Sequence, residues 1–178
     1  MARPSGEGQA VGVSLWLVPE GEAHGRLAML LDDLARRLGT PSFAPHVTLL
    51  GGIRDAEQEV LARAADLARE LAPLTVFLEG IGGTDDYFRC LFVRAGETEP
   101  LLAAHARAGH ALGRTETAPF RPHLSLVYGH LAAAERDRLA SELVGSLPSQ
   151  FSATRLDVVR TEGRPGDWRR LTGLPLRG

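Results

Sequence analysis

The sequence predicts an α+β fold of two lobes related by a pseudo-twofold axis, with antiparallel sheets lining a central cleft and helices packed outside. Three observations carry this. Hydrophobic spacing switches repeatedly between the two-residue period of strands and the 3.6-residue period of helices. The order strand, helix, histidine strand, helix, strand is spelled twice, an internal duplication of about half the chain rather than a short solenoid repeat. The centre of each copy carries the same phrase, FAPHVTLLGG at 43–52 and FRPHLSLVYG at 120–129. With 178 residues, 44% hydrophobic and 24% charged, the chain suits one domain able to bury a sizeable core.

Taken in order, VGVSLWLV at 11–18 reads as a strand. Leu27, Leu30, Leu34 and Leu38 recur at helical spacing, and Gly39 with Pro41 stops that helix. The first histidine phrase follows. Asp55 with Gln58 resembles a capping box ahead of a second amphipathic helix through Val60, Ala64, Leu67 and Leu71. LTVFLEGI at 74–81 is a strand and GGTDD a turn. The order then restarts with YFRCLFV at 87–93 as a strand and a helix opened by Thr98 and Pro100 that ends near Gly113. After the second phrase come a helix over 131–143, the alternating strand FSATRLDVV and a weak final strand over 168–174. The lobes therefore span about 11–84 and 87–161, and residues 1–10 are expected to be flexible.

Composition excludes several chemistries. All 20 basic residues are arginine, so a lysine nucleophile, Schiff-base chemistry and a phosphate loop ending in Gly-Lys are ruled out. Cys90 is the single cysteine and sits in an apolar run, which reads as a small buried hydrophobe in a reducing, cytoplasmic compartment. A net charge of -2 gives no support for a strong polyanion binder. The start lacks the apolar core of a secretory signal, and no stretch is long enough to span a membrane. No metal-ligand motif is present, and no cofactor is expected.

The repeated phrase carries chemistry of its own. On a strand, residues two apart share a face, so His46 lies beside Thr48 and His123 beside Ser125. Val47, Leu49, Leu124 and Leu126 take the opposite face and turn to the core. Two imidazoles across a cleft suit paired acid–base work, because histidine titrates near neutral pH. One accepts a proton from water while the other donates to a leaving oxygen. The two hydroxyls then donate hydrogen bonds to oxygens that carry charge in the transition state. Phosphodiester cleavage fits, since water enters and the leaving oxygen departs on opposite sides of phosphorus. The other histidines, His24, His105, His110 and His130, read as surface or helix-face residues.

The motifs PHVTL at 45–49 and PHLSL at 122–126 resemble the paired motifs of the two-histidine phosphoesterase superfamily. Together with VSLWLVPEGE, YFRCLFV and PFRPHLSLVYG, they make the chain most similar to the plant- and yeast-type cyclic phosphodiesterases. The resemblance implies a bilobal fold and metal-independent hydrolysis of a 2',3'-cyclic nucleotide or ADP-ribose 1'',2''-cyclic phosphate to a phosphomonoester, with a 2'-phosphate left on a nucleoside. It maps His46 and His123 onto the catalytic pair and Thr48 and Ser125 onto the phosphate-binding hydroxyls. Tyr128 falls at an aromatic position after the second motif, where a ring stacks on base or ribose, and Trp16, Tyr87 and Phe88 are further candidates for that wall. Arg121, inside the motif, is a candidate to assist substrate phosphate. The partner is a small cyclic nucleotide handled by a monomer without membrane association. Two alternatives remain open: a related branch acting on RNA 3' ends, and a non-catalytic nucleotide- or RNA-binding module.

Overall fold

The architecture was obtained as a computed structural model, which describes residues 8–114 and 119–178. The expectation of flexibility for residues 1–7 lies outside the described residues. Nearby, Ala10 is paired with Gly163, so that part of the leader is tied to the body.

The first copy runs β1 (Val13–Pro19), α1 (Gly21–Leu38), β2 (Val47–Ile53), α2 (Glu57–Glu70) and β3 (Leu74–Gly82). The second runs β4 (Leu91–Ala95), α3 (Glu99–Ala111), β5 (His123–Val127), α4 (Ala133–Glu142) and β6 (Gln150–Arg160), followed by β7 (Arg169–Pro175). The duplicated order predicted from hydrophobic spacing is thus the observed order.

The strands form one antiparallel sheet in the order β1-β2-β5-β4-β3-β6-β7. Because β1 also pairs with β6, the run closes on itself. One side of this arrangement is β2-β1-β6-β7 and the other is β3-β4-β5. They are joined at the start of β6, where Leu74 to Phe77 pair with Ala153 to Gln150, and at the single pair Val47 with Leu124.

The helices cover the other face of the sheet. Leu27, Leu31 and Leu34 of α1, Val60, Ala64 and Leu67 of α2, and Leu101, Ala104 and Ala108 of α3 pack with Val47, Leu49, Leu124 and Leu126. Each buried leucine contributes about 1.5–3 kcal/mol of transfer free energy. α1 ends where Gly39 adopts φ 64 and its N–H returns to the Ala35 carbonyl, a conformation that suits glycine. No helix among the described residues is long and apolar enough to cross a membrane.

Two local expectations are corrected. Asp55 and Gln58 form no capping box: the helix begins at Glu57 behind Ala56, with no side-chain cap. Glu57 instead accepts a hydrogen bond from Arg160 Nε at 2.9 Å, and Glu57 and Glu59 place negative charge at the positive end of the helix. Tyr87, Phe88 and Arg89 do not begin β4 but form a 3₁₀ turn. The Asp86 carboxylate accepts from the Phe88 N–H at 2.9 Å, and the Asp86 carbonyl from the Arg89 N–H at 3.0 Å. These local bonds outcompete the strand preference of the aromatic residues.

Candidate active site

The pair Val47 and Leu124 is the geometric origin of the site. Both side chains are fully buried in the core, so their strand neighbours point to the opposite face. Continuing the antiparallel register sets His46 opposite Ser125 and Thr48 opposite His123. The pair thus brings the two histidine phrases together in the fold. All four side chains line one cavity of about 450 Å³.

The two histidines are held in the same way. His46 Nδ1 donates to the carbonyl of Ala44 at 2.7 Å, and His123 Nδ1 donates to the carbonyl of Arg121 at 2.9 Å. A carbonyl only accepts, so the proton of each neutral ring is fixed on Nδ1. Nε2 is left without a proton of its own, able to take one, or to give one when the ring is charged. The Pro-His step supports this arrangement, because the residue before proline is restricted to extended geometry.

Their surroundings differ. His46 is 5% exposed and lies flat against Trp16, with ring centroids 3.6 Å apart and planes 8° from parallel. Burial pushes its pKa down to about 4, opposed by the bond to the Ala44 carbonyl, and the nearby His123 adds to the lowering. His123 is half-buried, and its pKa is also lowered mainly by burial. The bond to the Arg121 carbonyl and the Asp86 carboxylate work against that lowering, while the Arg89 guanidinium adds to it.

Strand register explains the aromatic cover. Trp16 of β1 pairs with Thr48, and Phe92 of β4 pairs with Ser125. Cross-strand partners share a face, so each hydroxyl has an aromatic neighbour that reaches over the adjacent histidine. Phe92 lies 5.1 Å from His123, centroid to centroid. Trp16 and Phe92 are therefore equivalent positions of the two copies.

Of the other expected residues, Phe88 and Tyr128 also line the cavity. Tyr128 is only 4% exposed, and its ring face is covered by Phe43 at 3.8 Å. It presents a hydroxyl 3.5 Å from His46 Nε2, a long contact, rather than an open stacking platform. Burial raises its pKa, so the phenol stays protonated. The Ser125 hydroxyl donates to the Phe88 carbonyl at 3.1 Å. Tyr87 is not among the lining residues; it packs edge-on against Phe88 and His130. Arg121 lines a neighbouring cavity instead.

Sequence reasoning missed Trp168, Ser14 and Thr161. Trp168 follows a Gly- and Pro-rich turn and stands edge-on to Trp16 at 5.7 Å, closing one wall. Its signal was a large aromatic residue at a loop end, where core packing does not demand one. Thr161 donates to the Gly12 carbonyl at 3.2 Å, so Ser14 donates to the Thr161 hydroxyl at 2.9 Å. Nothing local in the sequence marks that pair, which is 147 residues apart. His105, expected on a helix face, sits on α3, stacks on Phe120 at 3.8 Å and donates from Nδ1 to the Leu49 carbonyl.

Comparison with known proteins agrees with this geometry. The family model described as the 2'-5' RNA ligase superfamily matches residues 26–165. An Arabidopsis thaliana protein named cyclic phosphodiesterase is 25% identical over 154 residues, 84% of each chain. TT0787 of Thermus thermophilus superposes with a TM-score of 0.65 at 23% identity, over 94% of this chain and 99% of its own. E. coli LigT in its apo form gives 0.61 at 16% identity, over 96% and 99%. LigT has also been solved complexed with 3'-AMP, giving 0.59 at 14% identity over 96% and 100%. One element order spelled twice, two Pro-His-x-hydroxyl phrases lining one cavity, and a match over most of the chain lead to one assignment: the protein belongs to the 2'-5' RNA ligase superfamily, the two-histidine phosphoesterases.

Proposed function

We propose that the protein hydrolyses a cyclic phosphodiester to a phosphomonoester by paired histidine acid–base catalysis without a metal. The substrate is a nucleoside 2',3'-cyclic phosphate or ADP-ribose 1'',2''-cyclic phosphate. The observation that carries the reading is the matched tethering of both Nδ1 atoms, which leaves two Nε2 atoms for proton transfer in one cavity. The name of the Arabidopsis relative and the 3'-AMP complex of LigT support the substrate class.

In this reaction water attacks phosphorus and a ribose oxygen leaves on the opposite side. The P–O bond to water forms as the P–O bond to the ribose breaks. One Nε2 takes the proton of the water, and the other imidazole gives its Nε2 proton to the leaving oxygen. Burial holds both rings neutral in the free protein, and the negative charge of the bound phosphate raises their proton affinity. The stronger depression at His46 favours it as base and the more open His123 as acid. Thr48 donates to one non-bridging oxygen, and Ser125 turns its hydroxyl from the Phe88 carbonyl to donate to the other.

The test is turnover of adenosine 2',3'-cyclic phosphate by the wild type and by His46→Ala and His123→Ala. Each substitution should cost about 10²–10⁴-fold in rate. Near-wild-type turnover in either variant would overturn the acid–base roles. Binding of adenosine 2'-phosphate by a wild-type protein that turns nothing over would favour a non-catalytic binding module.

A further inference from the structure

A second cavity, of about 490 Å³, adjoins the catalytic one and shares His123 and Arg89 with it. Its lining includes Phe92, Arg94 and Arg121, with Glu79 and Glu97 also on the wall. Strand register makes it an extension of the catalytic face. Arg94 pairs directly with His123, and Phe92 with Ser125, so the side chains of Phe92 and Arg94 stand on the same face as the histidine and the hydroxyl.

The next strand, β3, is bare beneath the guanidinium. A Cβ added at Gly80 would come 2.5 Å from Arg94 Nη2, and one at Gly82 would come 3.4 Å from Arg94 Nη1. Two glycines thus give Arg94 room to lie across the sheet. Among the described residues, neither Arg94 nor Arg121 holds an ion pair, whereas Arg89 contacts Asp86 at 3.5 Å. Two exposed guanidinium groups therefore stand beside the catalytic histidine with their charge uncommitted.

We propose that Arg94 and Arg121 form a binding site for a second phosphate, carried on the 5'-oxygen of the ribose whose cyclic phosphate is opened. Guanidinium recognises phosphate through paired, charge-assisted hydrogen bonds, so this is the ligand chemistry the cavity fits. The inference rests on the proposed cyclic phosphodiesterase reading. Two sources present that chemistry: the last internucleotide phosphate of an RNA ending in a cyclic phosphate, and the pyrophosphate of ADP-ribose cyclic phosphate. A simple nucleoside 2',3'-cyclic phosphate lacks it.

The experiment compares kcat/KM for adenosine 2',3'-cyclic phosphate with that for the same compound bearing a 5'-phosphate. The wild type should prefer the 5'-phosphorylated form by about 10-fold or more. Arg94→Gln should abolish that preference while leaving turnover of the simple cyclic phosphate unchanged, and Arg121→Gln should reduce the preference. Equal kcat/KM on both compounds, or a preference that survives Arg94→Gln, would overturn the site. Separate arms with ADP-ribose cyclic phosphate and a dinucleotide ending in a cyclic phosphate distinguish the two sources.

Calorimetry with adenosine 2',5'-bisphosphate and adenosine 2'-phosphate reads the same site without turnover. Tighter binding of the bisphosphate that Arg94→Gln removes would support the site even if neither cyclic compound is hydrolysed, which would overturn only the catalytic reading. Equal binding of the two would overturn the phosphate site.

Discussion

Trp16 lies face to face with His46, 3.6 Å between ring centroids and 8° from parallel, so the indole shields one side of an imidazole in the candidate site from water. Desolvation disfavours the charged ring, and burial is the largest cause of its lowered pKa, about 4. Trp16→Ala admits solvent to that face. The expected result is a His46 pKa raised by about 1 unit or more, followed by NMR titration of its ring protons, with the acid limb of the rate profile moving the same way. An unchanged His46 titration would show that the indole does not control the ring.

The same burial makes stability depend on pH. The unfolded His46, with a pKa near 6.5, binds a proton that the folded ring, at about 4, refuses. Stability from this group is therefore intact above about pH 6.5, falls as pH drops towards 4 and levels off below it. The full effect is about 3 kcal/mol, of which about 2 kcal/mol is spent by pH 4.5. Denaturant unfolding at pH 7.5 and 4.5 should show that His46→Gln loses less on acidification than the wild type. Equal losses would place the acid sensitivity elsewhere.

The hydroxyls can be separated by substitution. Thr48→Val keeps the shape and the strand preference while removing the donor, and Ser125→Ala removes its counterpart. Each should lower kcat/KM for a cyclic nucleotide by about 10²-fold, as loss of a transition-state donor does elsewhere. Ser125→Ala should also loosen the turn at Phe88, whose carbonyl Ser125 holds. Hydrogen exchange across 86–90 should therefore rise in that variant and not in Thr48→Val. No change in kcat/KM for either would remove the hydroxyls from the reaction.

Chelation tests whether the reaction needs a metal. Among the described residues, no group of three or more His, Cys, Asp and Glu side chains is arranged to hold a metal ion. Turnover should survive exhaustive treatment with EDTA, measured against an untreated sample. Loss of activity restored by a divalent cation would point to a metallophosphodiesterase.

The sequence by itself determined the order of elements, because helical and strand spacing is a local property of side-chain burial. The repeat made both histidine phrases visible, and alternation along a strand set His46 with Thr48 and His123 with Ser125. It also marked Cys90 as a small buried hydrophobe, which it is.

Local reasoning failed where local alternatives compete. At 87–89 the Asp86 carboxylate captures a backbone N–H that a strand would need, and at the start of α2 the expected cap gives way to a contact with distant Arg160. Only the tertiary structure decided what stands around the histidines. The pair Val47 with Leu124 joins the two histidine strands, so both imidazoles and both hydroxyls line one cavity. Closure of β1 on β6 brings Thr161 to Ser14, and the last turn brings Trp168 to Trp16. These are contacts between residues far apart in the chain, set by which strands pair and in what register. A sequence pattern records which face a residue takes, but not which strand will lie beside it.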